Sequence, residues 1–324
     1  MQYNIIDKKK KQLDEFRPLS PELAKNLDEW FKVELTYTSN AIEGNTLSRG
    51  ETAIVIEKGL TIGGKTLVEH LEATNHAKAL DVVYKLAKKK YSQITEKDIL
   101  AIHHTILHGI DDYNAGHYRH VPVRISGSTI VMPNPMKVPA LMADFISWLS
   151  SVEKIHPIEL AAESHYRLVT IHPFSDGNGR TARLLMNLIL IMKGYPPAII
   201  RPQERLAYIT SLETAQLGGS KEKYQKIIYN AVNRSFDIYL KAVTGQEASD
   251  IKKPEKLMKI GELAKAIGET VSTIRFWTKA GLLEIADITR SNYQLYSIEA
   301  LQQCKKIQQL KKQRLTINEI KDKL

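Results

Sequence analysis

Residues 172–183 have the sequence His172-Pro173-Phe174-Ser175-Asp176-Gly177-Asn178-Gly179-Arg180-Thr181-Ala182-Arg183. A histidine, an acid, a Gly-Asn-Gly turn and two arginines are thus placed directly before an apolar run, residues 184–192. The apolar run favours a buried helix, and glycine in the turn allows positive φ angles at little cost. The segment therefore predicts a sharp turn that opens a buried helix and points consecutive backbone N–H groups into one hollow.

This turn has the features of a phosphate-binding site. The amides in the first turn of a helix lack partners, and the helix dipole favours negative charge there. Two arginines three residues apart share one helix face, and their guanidinium groups match phosphate oxygens. The residues predicted to bind phosphate are Gly177, Asn178, Gly179, Arg180 and Arg183.

Asp176 and His172 add a metal ligand and a base to this inventory. A carboxylate beside a phosphate needs a cation between them, and Mg²⁺ is commonly held by one carboxylate together with substrate phosphates. Asp176 is therefore the predicted metal ligand. His172 titrates near neutral pH and is predicted to take a proton from an attacking hydroxyl.

The twelve residues also resemble, at every defined position, the signature of the Fic family, His-x-Phe-x-Asp/Glu-Gly-Asn-Gly-Arg-x-x-Arg. The resemblance covers roughly residues 18–240. It implies a mainly α fold, a Fic-type helical bundle with a short β-hairpin flap. It also implies transfer of AMP from ATP, with Mg²⁺, to a Ser, Thr or Tyr hydroxyl of a target protein or of the chain itself.

A second segment, Ser39-Asn40-Ala41-Ile42-Glu43-Gly44-Asn45, resembles the inhibitory helix motif of Fic proteins, Ser/Thr-x-x-x-Glu-Gly/Asn. The resemblance implies that Ser39, Glu43 and Gly44 form an inhibitory motif in which Glu43 pairs with Arg183 and takes the place of the ATP γ-phosphate. A charge-assisted pair of this kind is strong enough to hold an arginine. The alternative is an ordinary helix-end carboxylate followed by a glycine cap.

Two β-branched runs on either side of residues 126–128 predict a short hairpin, which Pro122 and Pro133 confine to a sheet edge. Fic proteins are similar here, since a flap hairpin docks the target chain beside the catalytic histidine. The residues predicted to dock a target are Val123, Ile125, Ser126, Gly127 and Ser128. A surface hairpin with no partner is the alternative.

The composition is that of an ordinary globular protein with one cysteine. The chain has 324 residues, of which 43% are hydrophobic and 25% are charged, as is usual for soluble domains. Cys304, the single cysteine, excludes an internal disulfide and a multi-cysteine metal site. The chain shows no signal-peptide pattern, and no apolar stretch approaches the ~18 residues of a membrane span. We therefore expect a cytoplasmic protein that does not enter a membrane.

Positive charge is concentrated after residue 250. Residues 251–324 hold 15 Lys and Arg against 8 Asp and Glu, a net charge of +7 out of +10 for the whole chain. Two short helical patterns, 260–268 and 271–283, predict a helix-turn-helix, and residues 290–297 predict a small wing. The block resembles the winged DNA-binding domain of MerR-family regulators. The residues predicted to contact DNA are Ser272, Thr273, Arg275, Lys279, Arg290 and Tyr293.

The expected organisation has four parts. Residues 1–95 form a helical region with the inhibitory motif, 96–243 a Fic catalytic core, 244–256 a polar linker, and 257–324 the winged helix-turn-helix domain. Regulators of this shape bind paired half-sites as dimers. We therefore expect a homodimer that binds DNA through residues 257–324.

Three alternatives to AMP addition stay open at this stage. The motif does not fix the orientation of the nucleotide, so transfer of phosphate or phosphocholine is the first. Removal of AMP from a target, with Glu43 positioning a water molecule, is the second. The third is a transcriptional regulator in which the Fic part senses a nucleotide or modifies itself to switch DNA binding.

Overall fold

The computed structural model describes residues 3–125, 128–245, 258–283, 285, 287–288, 294–296, 298–313 and 319–320. Its contacts divide the chain into two compact units, Met1–Gly245 and Gln246–Leu324. The helical region and the catalytic core that were expected at 1–95 and 96–243 therefore share one unit.

The described residues of the first unit form a bundle of ten α-helices. In chain order these are α1 (Asn4–Asp14), α2 (Pro21–Glu43), α3 (Arg49–Lys58), α4 (Leu67–Leu86), α5 (Glu96–Leu107), α6 (Val138–Ser151), α7 (Pro157–Ile171), α8 (Asn178–Met192), α9 (Arg205–Gln216) and α10 (Glu222–Thr244). Short 3-10 turns lie at Tyr91–Gln93, Pro135–Lys137 and Pro202–Glu204. Among the helices that the structure describes, none is both long and apolar enough to cross a bilayer.

Helix α8 is the centre of the bundle. Nearly all of its side chains are buried, because its apolar run leaves no continuous polar face. It packs most closely against α7 and also contacts α4, α5 and α2. The catalytic turn predicted from the sequence lies between α7 and α8, so it rests on the most buried part of the molecule.

The long helix α2 has sequence signals at both of its ends. The Ser20 hydroxyl accepts a hydrogen bond from Leu23 N at 3.3 Å, and Pro21 occupies the first helical position, which suits its fixed φ. At the other end Gly44 has a φ of 104°, a conformation that a side chain would strain. The helix therefore stops at Glu43, whose carboxylate lies over the N-terminus of α8.

Strand pairing of the predicted flap hairpin is absent from the described residues between 121 and 133. Ser128 N donates to Ile125 O at 3.1 Å and closes a turn, but no ladder flanks it. The carbonyls of Val121 and Pro133 accept from the buried Arg119 guanidinium instead, at 3.3 and 2.6 Å. The flap is thus a loop with both arms held by one arginine, and Pro122 and Pro133 have no backbone N–H to donate to a ladder.

The second unit has the helix, turn, helix and hairpin order that was predicted for it. Its described elements are β1 (Met258–Lys259), α11 (Ile260–Ile267), α12 (Val271–Lys279), β2 (Asp287–Ile288), β3 (Gln294–Tyr296) and α13 (Ile298–Lys312). The strands are antiparallel in the order β1-β3-β2, with Leu295 opposite both Lys259 and Asp287. Trp277 and Tyr296 are fully buried in its core. The predicted mainly α fold with a small winged domain is confirmed.

Replacing Asn187 with alanine is expected to destabilise the first unit. The buried Asn187 side chain accepts from Ala198 N at 2.8 Å and donates to Ala198 O at 3.3 Å. Truncation leaves both buried main-chain groups unpaired, which costs about 1–3 kcal/mol. Urea unfolding followed by circular dichroism measures the loss. Asn26→Ala, at an exposed position of α2, is the matched control and should move the midpoint little; equal midpoints for both variants would contradict the structural role of Asn187.

Candidate active site

The predicted catalytic turn is a six-residue loop between α7 and α8, closed by its own side chains. His172 ends α7 in the left-handed region with φ 51° and ψ 59°, which is uncommon for a residue other than glycine. Asn178 then binds Phe174 twice: Nδ2 donates to the Phe174 carbonyl at 2.8 Å, and Oδ1 accepts from Phe174 N at 3.0 Å. The Asn178 side chain is thus used to close the loop, which leaves backbone amides for any ligand.

The geometry of His172 suits a general base. Its Nδ1 lies 3.4 Å from Val169 O, and since a carbonyl only accepts, the proton belongs on Nδ1. Nε2 is left with its lone pair. Burial lowers the pKa of His172 below its ordinary value, so the ring is neutral near pH 7 and ready to take a proton. Arg119 Nε fixes the backbone at this point by donating to His172 O at 2.7 Å.

His103 supports the loop from beneath. Its ring stacks on Phe174 with centroids 3.6 Å apart, and Nε2 donates to Asp176 O at 3.0 Å. Nδ1 accepts from Gly116 N at 2.9 Å. Burial lowers the pKa of His103 to about 4, so it is neutral and both hydrogen bonds have the correct polarity.

The N-terminus of α8 is open to an anion. Gly177 precedes the helix with a φ of 74°, and no side chain caps the first turn. A Cβ built on Gly179 would collide with the Glu43 carboxylate and would lie 3.0 Å from Arg183 Nη1. The carboxylate of Glu43 is therefore seated against this turn, where uncapped amides favour negative charge.

Arg183 is buried and is held mainly by the predicted inhibitory motif. Its Nη2 donates to Glu43 Oε1 at 2.7 Å and to Ser39 O at 2.9 Å, and its Nε donates to Ser39 Oγ at 2.9 Å. Burial alone would lower the pKa of Arg183, but the Glu43 carboxylate and the Tyr208 hydroxyl outweigh it and raise that pKa. Gly44 contributes only its left-handed backbone conformation, which ends the helix.

Arg180 is placed differently from Arg183. Its side chain is only 3% exposed; Nη1 donates to Glu72 Oε1 at 2.8 Å and Nη2 to Asp176 Oδ2 at 3.0 Å. Glu72 also accepts from Asn45 Nδ2 at 2.8 Å. In this conformation Arg180 orients Asp176 rather than facing the cavity, so its predicted contact with phosphate stays a prediction.

A cavity of about 310 Å³ is lined by residues from both the predicted catalytic turn and the predicted flap. Its walls include His172, Asp176 and Arg183 and the flap residues Val123, Ile125 and Ser128. Ser128 Oγ and Thr129 N both donate to Glu213 Oε1, at 2.8 and 3.2 Å, which fixes the flap beside α9. The predicted flap residues Ser126 and Gly127 lie outside the described residues.

Asp176 is compatible with a Mg²⁺ ion that is also held by a substrate. Its side chain is 68% exposed and lines the cavity. Oδ1 accepts a hydrogen bond from Gly177 N, and Oδ2 accepts one from Arg180 Nη2. Each oxygen keeps a further lone pair. Within the part of the chain that the structure describes, no three His, Cys, Asp or Glu side chains form a group that could hold a metal ion.

Sequence reasoning did not find several residues that shape this site. Glu72 and Tyr208 come from segments distant from the catalytic turn, and no local pattern marks them. Arg205 is another: its Nε donates to Ile42 O at 2.6 Å and so holds the end of α2. Only their three-dimensional neighbours reveal these residues.

Comparison with solved structures decides the family. A Fic domain containing signaling protein from Bacteroides thetaiotaomicron is 31% identical, with 98% of that chain and 73% of this one covered and a TM-score of 0.66. This chain belongs to the Fic/DOC family. Residues 93–190 match the sequence model of the Fic/DOC family. Fic-1 from Caenorhabditis elegans, 34% identical over 74% of that chain and 75% of this one, also has a TM-score of 0.66.

The curated relatives of this Fic chain carry the name protein adenylyltransferase Fic. That of Culex quinquefasciatus is 35% identical over 269 residues, and protein adenylyltransferase fic-1 of Caenorhabditis elegans is 43% identical over 185 residues. These alignments cover 82% and 56% of this chain but only 52% and 36% of the relatives. The chain thus spans about half or less of the length of these relatives.

The second unit of the Fic chain matches the MerR HTH family regulatory protein over residues 258–324. On α12 the predicted DNA contacts Ser272, Arg275 and Lys279 are exposed and Thr273 is half-buried. Their helix begins at the cap residue Thr270, whose hydroxyl accepts from Thr273 N at 3.1 Å. Arg290 and Tyr293, the predicted wing contacts, lie outside the described residues.

Acid is expected to destabilise this protein through its buried neutral histidines. Burial lowers the pKa of both His76 and His165 to about 3, from an ordinary 6.5. The unfolded chain takes up these protons below pH 6.5 and the folded chain does not. Their contribution to the free energy of unfolding is therefore complete above pH 6.5 and is lost as the pH falls towards 3. For each histidine the loss approaches ~1.4 kcal/mol per pH unit.

Urea unfolding between pH 7 and pH 5 measures this dependence. His165→Gln should reduce the slope of unfolding free energy against pH, whereas His120→Gln, at an exposed position, should leave it unchanged. An unaltered slope in His165→Gln would show that His165 does not titrate between the two states.

Proposed function

We propose that this protein transfers AMP from ATP to a hydroxyl group of a target protein. The observation that carries the proposal is that one cavity holds a neutral base, His172, beside an uncapped helix N-terminus and a buried arginine. That combination suits attack on a phosphate. The relatives named protein adenylyltransferase Fic support the same chemistry.

Phosphate binding follows from the turn before α8. The backbone amides of Asn178 and Gly179 would take the phosphates, whereas the Gly177 amide donates to Asp176 Oδ1 at 2.6 Å. Arg183 would bind the distal phosphates and offset the charge of the departing pyrophosphate. Asp176 would hold Mg²⁺, which supplies charge neutralisation between the carboxylate and the phosphates. Arg180 keeps Asp176 oriented for that contact.

The transfer step uses His172 as the base. A Ser, Thr or Tyr hydroxyl of a segment docked along Val123, Ile125 and Ser128 attacks the α-phosphorus. The new oxygen–phosphorus bond forms as the bond to pyrophosphate breaks, and the hydroxyl proton passes to Nε2 of His172. Nδ1 donates to Val169 O throughout, so the tautomer is already the one that the step needs.

Glu43 inhibits this reaction in the proposal. Its carboxylate binds Arg183 and lies against Gly179, where a distal phosphate would otherwise bind. ATP would then be held with its α-phosphate displaced, and a displacement of about an ångström costs ~10²-fold in rate.

Glu43→Gly is expected to raise AMP transfer by about tenfold or more, because it frees Arg183 for phosphate. Incubation of the full chain with α-³²P-ATP and Mg²⁺ measures labelling of the protein itself and of lysate proteins. Glu43→Gly/His172→Ala is the control and should show none. Labelling that does not rise above the unsubstituted chain would contradict inhibition by Glu43.

The same experiment separates the competing chemistries. Label from γ-³²P-ATP but not from α-³²P-ATP would indicate phosphate transfer. Loss of AMP from a pre-labelled target only when Glu43 is present would indicate AMP removal.

For the second unit we propose DNA binding through α12. Exposed Arg275 and Lys279 on one helix, together with the match to MerR regulators, support a helix that enters the major groove. Specific binding is proposed to require a homodimer, since these domains bind paired half-sites.

Arg275→Ala/Lys279→Ala is expected to weaken DNA binding and to reduce its salt dependence. Each lost phosphate contact lowers the slope of log K against log salt by about 0.9. Fluorescence anisotropy of a labelled random-sequence duplex at several salt concentrations measures the slope. Lys25→Ala/Lys78→Ala, which removes two exposed lysines of the first unit, is the charge-matched control; an unchanged slope in the Arg275→Ala/Lys279→Ala variant would rule out contact through α12.

A further inference from the structure

Among the residues that the structure describes, Arg183 also has a partner outside the inhibitory helix α2. Ser39 and Glu43, which bind its Nε and Nη2, both lie on α2. The Tyr208 hydroxyl, from α9, interacts electrostatically with the same guanidinium and helps to raise the pKa of Arg183. Tyr208 is 2% exposed and lines the cavity together with Arg183.

The direction of the hydrogen bonds behind Tyr208 is fixed by a backbone carbonyl. Tyr224 donates its hydroxyl proton to Ala162 O at 2.9 Å. Its oxygen lies 2.8 Å from His165 Nδ1 and must therefore accept from it. His165 Nε2 is then left with a lone pair, and the Tyr208 hydroxyl at 2.7 Å donates to it.

The result is a hydroxyl oxygen that faces Arg183 only as an acceptor. The Tyr208 hydroxyl donates its one proton to His165, so only its lone pairs are available to the guanidinium. All three side chains are fully or almost fully buried. Helix α10 packs on both α7 and α9, so the three side chains are held by helices other than α2.

We propose that Tyr208, oriented by His165 and Tyr224, is a positioning residue that keeps Arg183 directed at the distal phosphates of a nucleotide when Glu43 does not hold it. The assignment rests on the proposed AMP transfer. Without Glu43, Arg183 loses one acceptor from α2, whereas the Tyr208 hydroxyl from α9 still interacts with its guanidinium. A guanidinium that is already oriented loses less freedom when it binds phosphate.

The test measures binding separately from turnover. In the full-length Glu43→Gly/His172→Ala chain, isothermal titration gives the Kd of Mg-ATP and of AMP. Tyr208→Phe added to this background should weaken Mg-ATP binding about tenfold, as expected for loss of a polar interaction with a buried charged group. AMP binding should change little, because AMP lacks the distal phosphates. In the Glu43→Gly chain, kcat/KM for ATP should fall by a similar factor.

Two further variants distinguish positioning from a general loss of packing. Tyr166→Phe removes a hydroxyl that donates to Ala215 O at 3.1 Å in the same region but that does not touch Arg183, and it should leave both affinities unchanged. Tyr224→Phe frees His165 to change tautomer and should produce a smaller loss that is again selective for ATP.

The outcomes separate this assignment from the proposed function. Equal Mg-ATP affinity with and without Tyr208→Phe would overturn the assignment alone, as would equal losses for ATP and AMP. If Tyr208→Phe weakens Mg-ATP binding but not AMP binding, and the Glu43→Gly chain nevertheless transfers no AMP, the assignment is supported and AMP transfer is contradicted. No binding of Mg-ATP by the parent chain would overturn both.

Discussion

The buried charge of Arg183 is the constraint around which the first unit is organised. A guanidinium inside a helical core is costly unless acceptors surround it. The protein supplies a hydroxyl and a carbonyl from Ser39, a carboxylate from Glu43 and a hydroxyl from Tyr208. Three helices of the bundle, α2, α8 and α9, are thus tied together at a single side chain, and the same side chain borders the cavity.

This arrangement links the stability of the fold to its chemistry. An anion is needed at the N-terminus of α8, both for the uncapped amides and for Arg183. In the structure Glu43 provides it; in the proposed reaction a phosphate would provide it instead. In the proposed mechanism the Glu43 carboxylate inhibits because it occupies the anion site, formed by the N-terminus of α8 and Arg183, that a nucleotide phosphate would otherwise occupy. The left-handed conformation at Gly44 matters here, since it ends α2 at the residue whose carboxylate reaches the site.

The catalytic turn is held more rigidly than its glycines alone would suggest. Asn178 closes it from within, His103 stacks beneath Phe174, and Arg119 binds the carbonyl of His172. Arg119 also binds the carbonyls at both arms of the flap. The base and the wall where a target would dock therefore share one buried anchor, which explains why the flap keeps its place without strand pairing.

The sequence by itself determined the turn, the buried helix after it, the end of α2 at Glu43 and the order of elements in the second unit. Each of these depends on residues close together in the chain, where glycine conformation, helix caps and apolar periodicity act directly. The family resemblance added the pairing of Glu43 with Arg183, which spacing could not supply. Tertiary structure alone decided that Arg183 faces the cavity while Arg180, three residues away, turns to Glu72 and Asp176. It also decided that Arg119 replaces the flap ladder and that Tyr208 reaches Arg183. These outcomes depend on which distant side chains the packing of the helices brings together, and no local pattern in the chain encodes that.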